Sequence, residues 1–139
     1  MTLNELVAVE VMGAVTIDTL DNCPNGFYVR NHAAYYGNDA GRNRCCAFMP
    51  TTSIADAWEV VEKMKERGTK DQPVEFTLVT PYRPKNSDQT MPFWARFRIN
   101  GIDGKAKGDD PARTVCLAAL RAVGVSEERI AQATKEVAR

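Results

Sequence analysis

The sequence predicts an α+β domain in which an antiparallel sheet is sandwiched by helices, in α/β/α layers. Three observations predict this class. A chain of 139 residues has the common size of one domain. Apolar residues recur at helical spacing in some segments, and in others they alternate with polar residues as in half-buried strands. We see no internal repeat, so we expect residues 1–139 to form a single domain with a loop-rich insertion at about 22–46.

Composition and charge exclude several classes of protein. The chain is 44% hydrophobic and 26% charged, as globular domains are. Eighteen basic residues balance eighteen acidic ones, so the overall field gives no attraction for duplex nucleic acid. No apolar run approaches the roughly 20 residues of a membrane helix, and Glu5 and Glu10 argue against a secretory signal. We therefore expect a soluble cytoplasmic protein that binds neither duplex nucleic acid nor membrane.

The first part of the chain begins with a helix and continues with strands. Thr2 opens a Thr-x-x-Glu capping box, which predicts a helix over about 2–12. Alternation then favours a strand over 15–20, and Asn25-Gly26 predicts a tight hairpin turn into a second strand. The stretch from Arg30 to Arg44 has neither period. Long irregular segments in small domains are commonly functional, so we interpret this one as a functional loop.

Helical periodicity and capping residues mark three further helices. Ser53 caps a helix over 53–67, and we expect Trp58 to be the largest residue of its buried face. Asp110-Pro111 begins a helix over 110–123, whose small apolar residues permit close approach to a sheet. A last helix is predicted over 126–138.

Strands are predicted between these helices. Alternation predicts strands over 74–78 and 93–99, joined by a long polar loop at 80–92. Asn100-Gly101 predicts a turn into a further strand over 102–107. The predicted strands therefore follow one another closely along the chain, as antiparallel strands do.

Catalytic and metal-binding patterns are missing from the sequence. His32 is the only histidine, no serine lies in a Gly-x-Ser-x-Gly elbow, and no phosphate or dinucleotide loop occurs. The four cysteines form no Cys-x-x-Cys pair, which argues against zinc and favours free thiols in a reducing compartment. We expect no enzyme, no cofactor and no metal, although a small hydrolase acting through His32 stays open as a hypothesis.

Two helical segments resemble a known family. The run Thr52-Ser53-Ile54-Ala55-Asp56-Ala57-Trp58-Glu59-Val60-Val61-Glu62-Lys63-Met64, together with Val115-Cys116-Leu117-Ala118-Ala119-Leu120-Arg121-Ala122-Val123-Gly124, resembles the phage ABA sandwich domain family. The resemblance implies a sheet sandwiched by helices, a phage or prophage origin and no general catalytic motif. The sequence departs from the family's plan at about residues 22–46 and in the 80–92 loop, where we expect the features particular to this protein.

Tyrosines and arginines are concentrated in the irregular segment. Arginine clamps phosphates and tyrosine stacks on bases, so this set suits a small anionic or nucleotide-like ligand. Basic residues of the 80–92 loop add charge if the two loops meet. The alternative is that the tyrosines cover a sheet edge and the arginines are solvated. The candidate ligand-binding residues are Tyr28, Arg30, His32, Tyr35, Tyr36, Arg42, Arg44, Arg83, Lys85 and Trp94.

Trp94 belongs to a second candidate anion site. Strand alternation places Trp94, Arg96 and Arg98 on the face opposite to Phe97 and its apolar neighbours. Helices on both faces of the sheet would cover this trio. If one face of the sheet is open, the trio is available to a ligand.

Two hypotheses for function follow. The first is a phage-encoded binding protein that sequesters a nucleotide-type immune signal of the bacterial host, acting in the host cytoplasm. The alternative is a protein–protein interaction module that inhibits a host protein or assists phage assembly, because aromatic and arginine enrichment also marks protein interfaces. A homodimer is compatible with both.

Overall fold

The computed structural model describes residues 1–17, 25–38 and 44–136. Within those ranges, four strands follow the first helix, and three further strands lie between the second and third helices. The elements in chain order are α1 (Leu3–Glu10), β1 (Val15–Thr16), β2 (Gly26–Arg30), β3 (Ala33–Asn38), β4 (Arg44–Ala47), α2 (Ile54–Lys65), β5 (Glu75–Val79), β6 (Phe93–Ile99), β7 (Ile102–Gly108), α3 (Pro111–Ala122) and α4 (Glu127–Lys135).

Side-chain caps begin the helices where the sequence predicts them. The Thr2 hydroxyl accepts the Glu5 N–H at 3.2 Å, and the Glu5 carboxylate accepts the Thr2 N–H at 2.8 Å, which completes the capping box. Ser53, Asp110 and Ser126 each accept the N–H of the third residue onward, at 3.2, 3.2 and 3.3 Å. These bonds satisfy amides that the first helical turn leaves free, so they fix the helix starts.

The strands form two sheets. The first has the order β1-β2-β3-β4, and the second has the order β5-β6-β7. All pairings are antiparallel except that of β1 with β2, which is parallel. The α+β class is confirmed, and the single sheet expected from the sequence is divided into two.

The turns of the first sheet differ from the prediction. Asn25-Gly26 is not a hairpin turn, because β1 pairs parallel with β2 and Gly26 begins β2 with a φ of 108°. The two-residue turn is Asn31-His32, with φ values of 50° and 64°, between Arg30 and Ala33. The segment interpreted as an irregular loop therefore contains β3. In the second sheet, the predicted Asn100-Gly101 turn joins β6 to β7, with φ values of 50° and 82°.

The helices connect the two sheets through one core. α1 packs on β2 and β3 and touches α3, which packs on β6 and β7. Phe97, Val115 and Leu120 are completely buried where α3 lies on the second sheet. The small residues of α3 allow the close approach that the sequence predicts, since the Cα of Gly104 on β7 lies against the backbone of Ala118 and Ala122.

Trp58 is not the centre of the buried face of α2. Its side chain is 47% exposed, whereas Ala57, Val60, Val61 and Met64 of the same helix are buried. α2 packs closely on α3, and this contact buries the small and flexible residues and leaves Trp58 at the edge. The indole lies edge-on to Phe76, with ring centroids 6.0 Å apart.

Replacing Trp58 by alanine will therefore have a small effect on stability. We expect Trp58→Ala to lower the free energy of unfolding by about 1 kcal/mol, well below the ~3–5 kcal/mol typical of a buried tryptophan. Urea unfolding of the variant and the natural chain measures the difference. A loss above about 3 kcal/mol would show that the ring belongs to the core after all.

Candidate functional site

The outer face of the second sheet is open to solvent. The inner face carries Ala95 and Phe97 of β6 and packs against α3, so alternate residues of the same strands point outward. The strand register arranges the outward residues in three rows across the sheet. These rows are Val79–Trp94–Lys107, Thr77–Arg96–Lys105 and Glu75–Arg98–Asp103.

Positive charge is uncompensated at one end of this face. Asp103 accepts hydrogen bonds from Arg96 at 3.1 and 3.3 Å, and it lies 3.9 Å from Arg98. Both of these arginines therefore share one carboxylate near the β6–β7 turn. Lys105 and Lys107 are exposed, and within the described ranges neither makes an ion pair. The unpaired lysines thus lie in the rows of Trp94 and Arg96.

A pocket of about 150 Å³ opens at that end. It is lined by Trp94, Lys107 and apolar or aromatic groups from the strand ends and the 80–92 loop. The loop is held in place by a bridge in which the Met91 N–H donates to the Tyr82 carbonyl at 2.7 Å. The remaining lining residues are Val79, Tyr82, Met91 and Pro92. An aromatic pocket with one ammonium at its rim fits a ring that carries an anionic group.

The hairpin residues predicted as a site lie on two different faces of the first sheet. Tyr28 and Tyr35 stack at 5.2 Å on the face that also carries Arg30. Tyr28 is only 1% exposed, and burial raises the pKa of its hydroxyl. Its ring is covered and unavailable for stacking on a ligand. His32 is exposed in the turn beside Arg30.

Arg30 of this face carries a hydrogen-bond donor that is not used within the described residues. Its Nε is buried and has no hydrogen-bond partner in the part of the chain that the structure describes. A buried donor without a partner is costly, so this group marks the hairpin as the competing location for an anion. Arg42 lies outside the described residues, and Arg44 begins β4.

Tyr36 faces a pocket of the wrong charge for an anion. It lies on the opposite face of the hairpin, 4.8 Å from the ring of Phe27. The pocket there has a volume of about 300 Å³ and includes the carboxylates of Asp56 and Glu59 from α2. Carboxylates at the wall repel an anionic ligand, so Tyr36 does not act together with Arg30 on one ligand.

The described contacts of Arg83 and Lys85 lie within the 80–92 loop. The Arg83 guanidinium donates to the Ser87 carbonyl at 2.8 Å and pairs with Asp88 at 3.3 Å, within its own loop. Lys85 lines a shallow depression formed by residues 83–88 alone. Their role in ligand binding stays a prediction.

Sequence reasoning missed three residues of the outer face and its pocket. Lys105 and Lys107 alternate with buried Gly104 and Ala106, which is the pattern of a half-buried strand. That alternation could have assigned both lysines to the face of Trp94. Tyr82 had no comparable signal, because it follows Pro81 in a loop and reaches the pocket through a single bridge.

Among residues 1–17, 25–38 and 44–136, no group of three His, Cys, Asp or Glu side chains has the arrangement of a metal site. Across the same ranges, no helix combines the length and apolar character needed to cross a membrane. Cys46 is a free exposed thiol, and Cys116 is a free buried one, with its pKa raised by burial.

Comparison with known proteins gives a family and a structural neighbour. The sequence model of the phage ABA sandwich domain family matches residues 5–120, a range that contains the whole outer face of the second sheet. The chain is also similar to a crystal structure of a phage protein from Bacillus cereus ATCC 14579. Identity is 20%, the alignment covers 87% of this chain and 84% of that chain, and the TM-score is 0.48. None of the curated proteins matches the sequence.

Proposed function

Because this chain belongs to the phage ABA sandwich domain family, we propose that it is a phage-encoded binding protein that holds a nucleotide-type anionic ligand on the outer face of its second sheet. The proposal depends on one observation above all, the pocket at Trp94 with the unpaired Lys107 at its rim. The ring of a base fits the aromatic pocket, and the phosphate fits the lysine.

The other locations support an anionic ligand less well. On the hairpin, the Tyr28 ring is covered, and the pocket beside Tyr36 carries the carboxylates of Asp56 and Glu59. The depression at 83–88 contains the carboxylate of Asp88 next to Arg83. In the pocket on the outer face of the second sheet, an aromatic ring lies beside a lysine that has no ion-pair partner among the described residues.

We propose that this site binds its ligand and does not catalyse a reaction. A binder needs a preformed concave pocket with a few polar anchors, and the groups around Trp94 supply an ammonium and aromatic rings rather than a nucleophile and base. We propose that the protein sequesters a nucleotide-type immune signal of the bacterial host, so that the signal does not reach its receptor.

A thermal-shift screen with nucleotides and cyclic dinucleotides tests the proposal. A ligand that binds only the folded chain increases its free energy of unfolding by mass action, by about 2.7 kcal/mol at a concentration one hundred times its Kd, and so raises the melting temperature. Lys107→Gln will reduce the shift, because the pocket loses its ammonium. Lys70→Gln makes the same charge change at an exposed position outside the pocket and will leave the shift as it is. If no nucleotide stabilises the natural chain, the proposal fails.

A protein–protein interaction module is the second candidate function. Ile54 and Trp58, one helical turn apart on α2, are 52% and 47% exposed. Large exposed apolar groups, and tryptophan especially, are typical of interface hot spots. Co-purification from host lysate tests this candidate: a stoichiometric protein retained by the natural chain and lost with Trp58→Ala would support it, and retention by both would contradict it.

A further inference from the structure

The outer face of the second sheet continues beyond the pocket at Trp94. Lys107, the register partner of Trp94, lies at the rim, and one row further along the sheet are Arg96 and Lys105, also register partners. Residues two apart on a strand are about 7 Å apart on the same face. The cations therefore extend away from the pocket rather than surrounding it.

A single nucleotide does not use this whole set. With its base in the pocket, its phosphate lies beside Lys107, and the second row is left without an anion. Lys105 is exposed and, within the described ranges, makes no ion pair. A second and a third phosphate, one nucleotide after another, would lie along the row of Lys105 and Arg96.

From this arrangement we infer that the ligand of the outer face is a short single-stranded oligonucleotide, with one base in the pocket and its next phosphates on Lys105 and Arg96. The inference rests on the proposed function and names the ligand class for the same site. A duplex is excluded by the geometry, because its bases are paired inside and cannot enter the pocket at Trp94. Base stacking with a cationic track is the general mode by which proteins hold single strands.

Asp103 limits the strength of this binding. Its carboxylate accepts two hydrogen bonds from Arg96, at 3.1 and 3.3 Å, and so compensates a guanidinium that would otherwise face the phosphates. The pair is partly exposed, with side chains 29% and 32% accessible, so that it can open for a ligand at small cost. Removing the carboxylate will free Arg96 and will strengthen binding.

Competition binding with thymidine ligands of one, two, three and six nucleotides tests the inference, using a fluorescently labelled hexamer as the probe. Affinity is expected to rise from one to three nucleotides and then to level off, since the third row carries the carboxylates of Glu75 and Asp103 beside Arg98. For the trimer, the slope of log K against log salt will approach about −2, the value for three phosphates on a single strand. A duplex long enough to stay fully paired at the assay temperature will compete less well than the hexamer.

Matched variants locate the bound oligonucleotide on the sheet. Lys105→Gln will lower the affinity for the trimer about threefold and leave the affinity for the single nucleotide unchanged. Asp103→Asn will raise the affinity for the trimer about threefold. Glu128→Gln on α4 makes the same charge change as Asp103→Asn away from the sheet and will have no effect.

The outcomes separate this inference from the proposed function. If one nucleotide binds as tightly as three, the pocket is the whole site, so the proposed function stands and the inference is overturned. If the trimer binds but Lys105→Gln and Asp103→Asn leave its affinity unchanged, the oligonucleotide binds elsewhere and the inference is overturned. If neither length binds, both fail.

Discussion

Gly104→Ala is expected to destabilise the fold by about 3 kcal/mol, because the new methyl group has no space. A Cβ at position 104 would overlap the carbonyl oxygen of Ala118 and the backbone nitrogen and Cα of Ala122. These are backbone atoms of a helix, so no side chain can rotate away. The methyl group can be accommodated only if α3 moves off β7, which opens the core around Phe97 and Val115.

Urea unfolding measures this effect, and two further variants control it. Gly108→Ala on the same strand brings its methyl group to the Thr114 hydroxyl, a side-chain atom that can move, so we expect a smaller loss. Ala122→Gly will not rescue Gly104→Ala, because the overlap involves the backbone of Ala122 and not its methyl group. If the free energy of unfolding of Gly104→Ala lies within about 0.5 kcal/mol of that of the natural chain, α3 does not pack this closely on the sheet.

Trp94→Leu is expected to lower the affinity for the nucleotide-type ligand about tenfold or more. Stacking of a base on an aromatic ring contributes about 1–3 kcal/mol, and leucine keeps the apolar volume without the ring. The free energy of unfolding of the variant will be close to that of the natural chain, because Trp94 is only partly buried at the outer face of the sheet. Equilibrium titration at fixed ionic strength gives the affinity.

The second tryptophan provides the matched control. Trp58→Leu makes the same substitution on α2, away from the pocket, and will leave the affinity unchanged. Each variant keeps one of the two tryptophans, so its fluorescence reports on that residue alone. We expect the ligand to quench the emission that remains in Trp58→Leu and not the emission that remains in Trp94→Leu. The opposite pattern would assign the ligand to α2.

Local signals in the sequence predicted much of the fold. Caps at Thr2, Ser53, Asp110 and Ser126 act on amides within three residues, so they can be identified without knowledge of the tertiary structure. Strand alternation likewise placed Trp94 opposite to Phe97. Both features depend on neighbouring residues, and both are found in the structure.

Features that depend on distant contacts could not be predicted in the same way. The burial of Trp58 depends on how α2 packs against α3, and the parallel pairing of β1 with β2 joins residues that are 13 positions apart in the sequence. The turn at Asn31-His32 has Asn at its first position but lacks the glycine that usually marks such turns. Whether Trp94 faces solvent or a helix also depends on packing, so the sequence alone could only offer it as one of two candidates.

We propose that the ligand binds the outer face of the second sheet and not the hairpin of the first sheet. Amide chemical-shift mapping by nuclear magnetic resonance, with a thymidine trinucleotide as the ligand, tests it directly. We predict that the largest shifts fall on β6 and β7 around Trp94, Lys105 and Lys107. Shifts concentrated instead around Arg30 and Tyr35, with none on the second sheet, would contradict it.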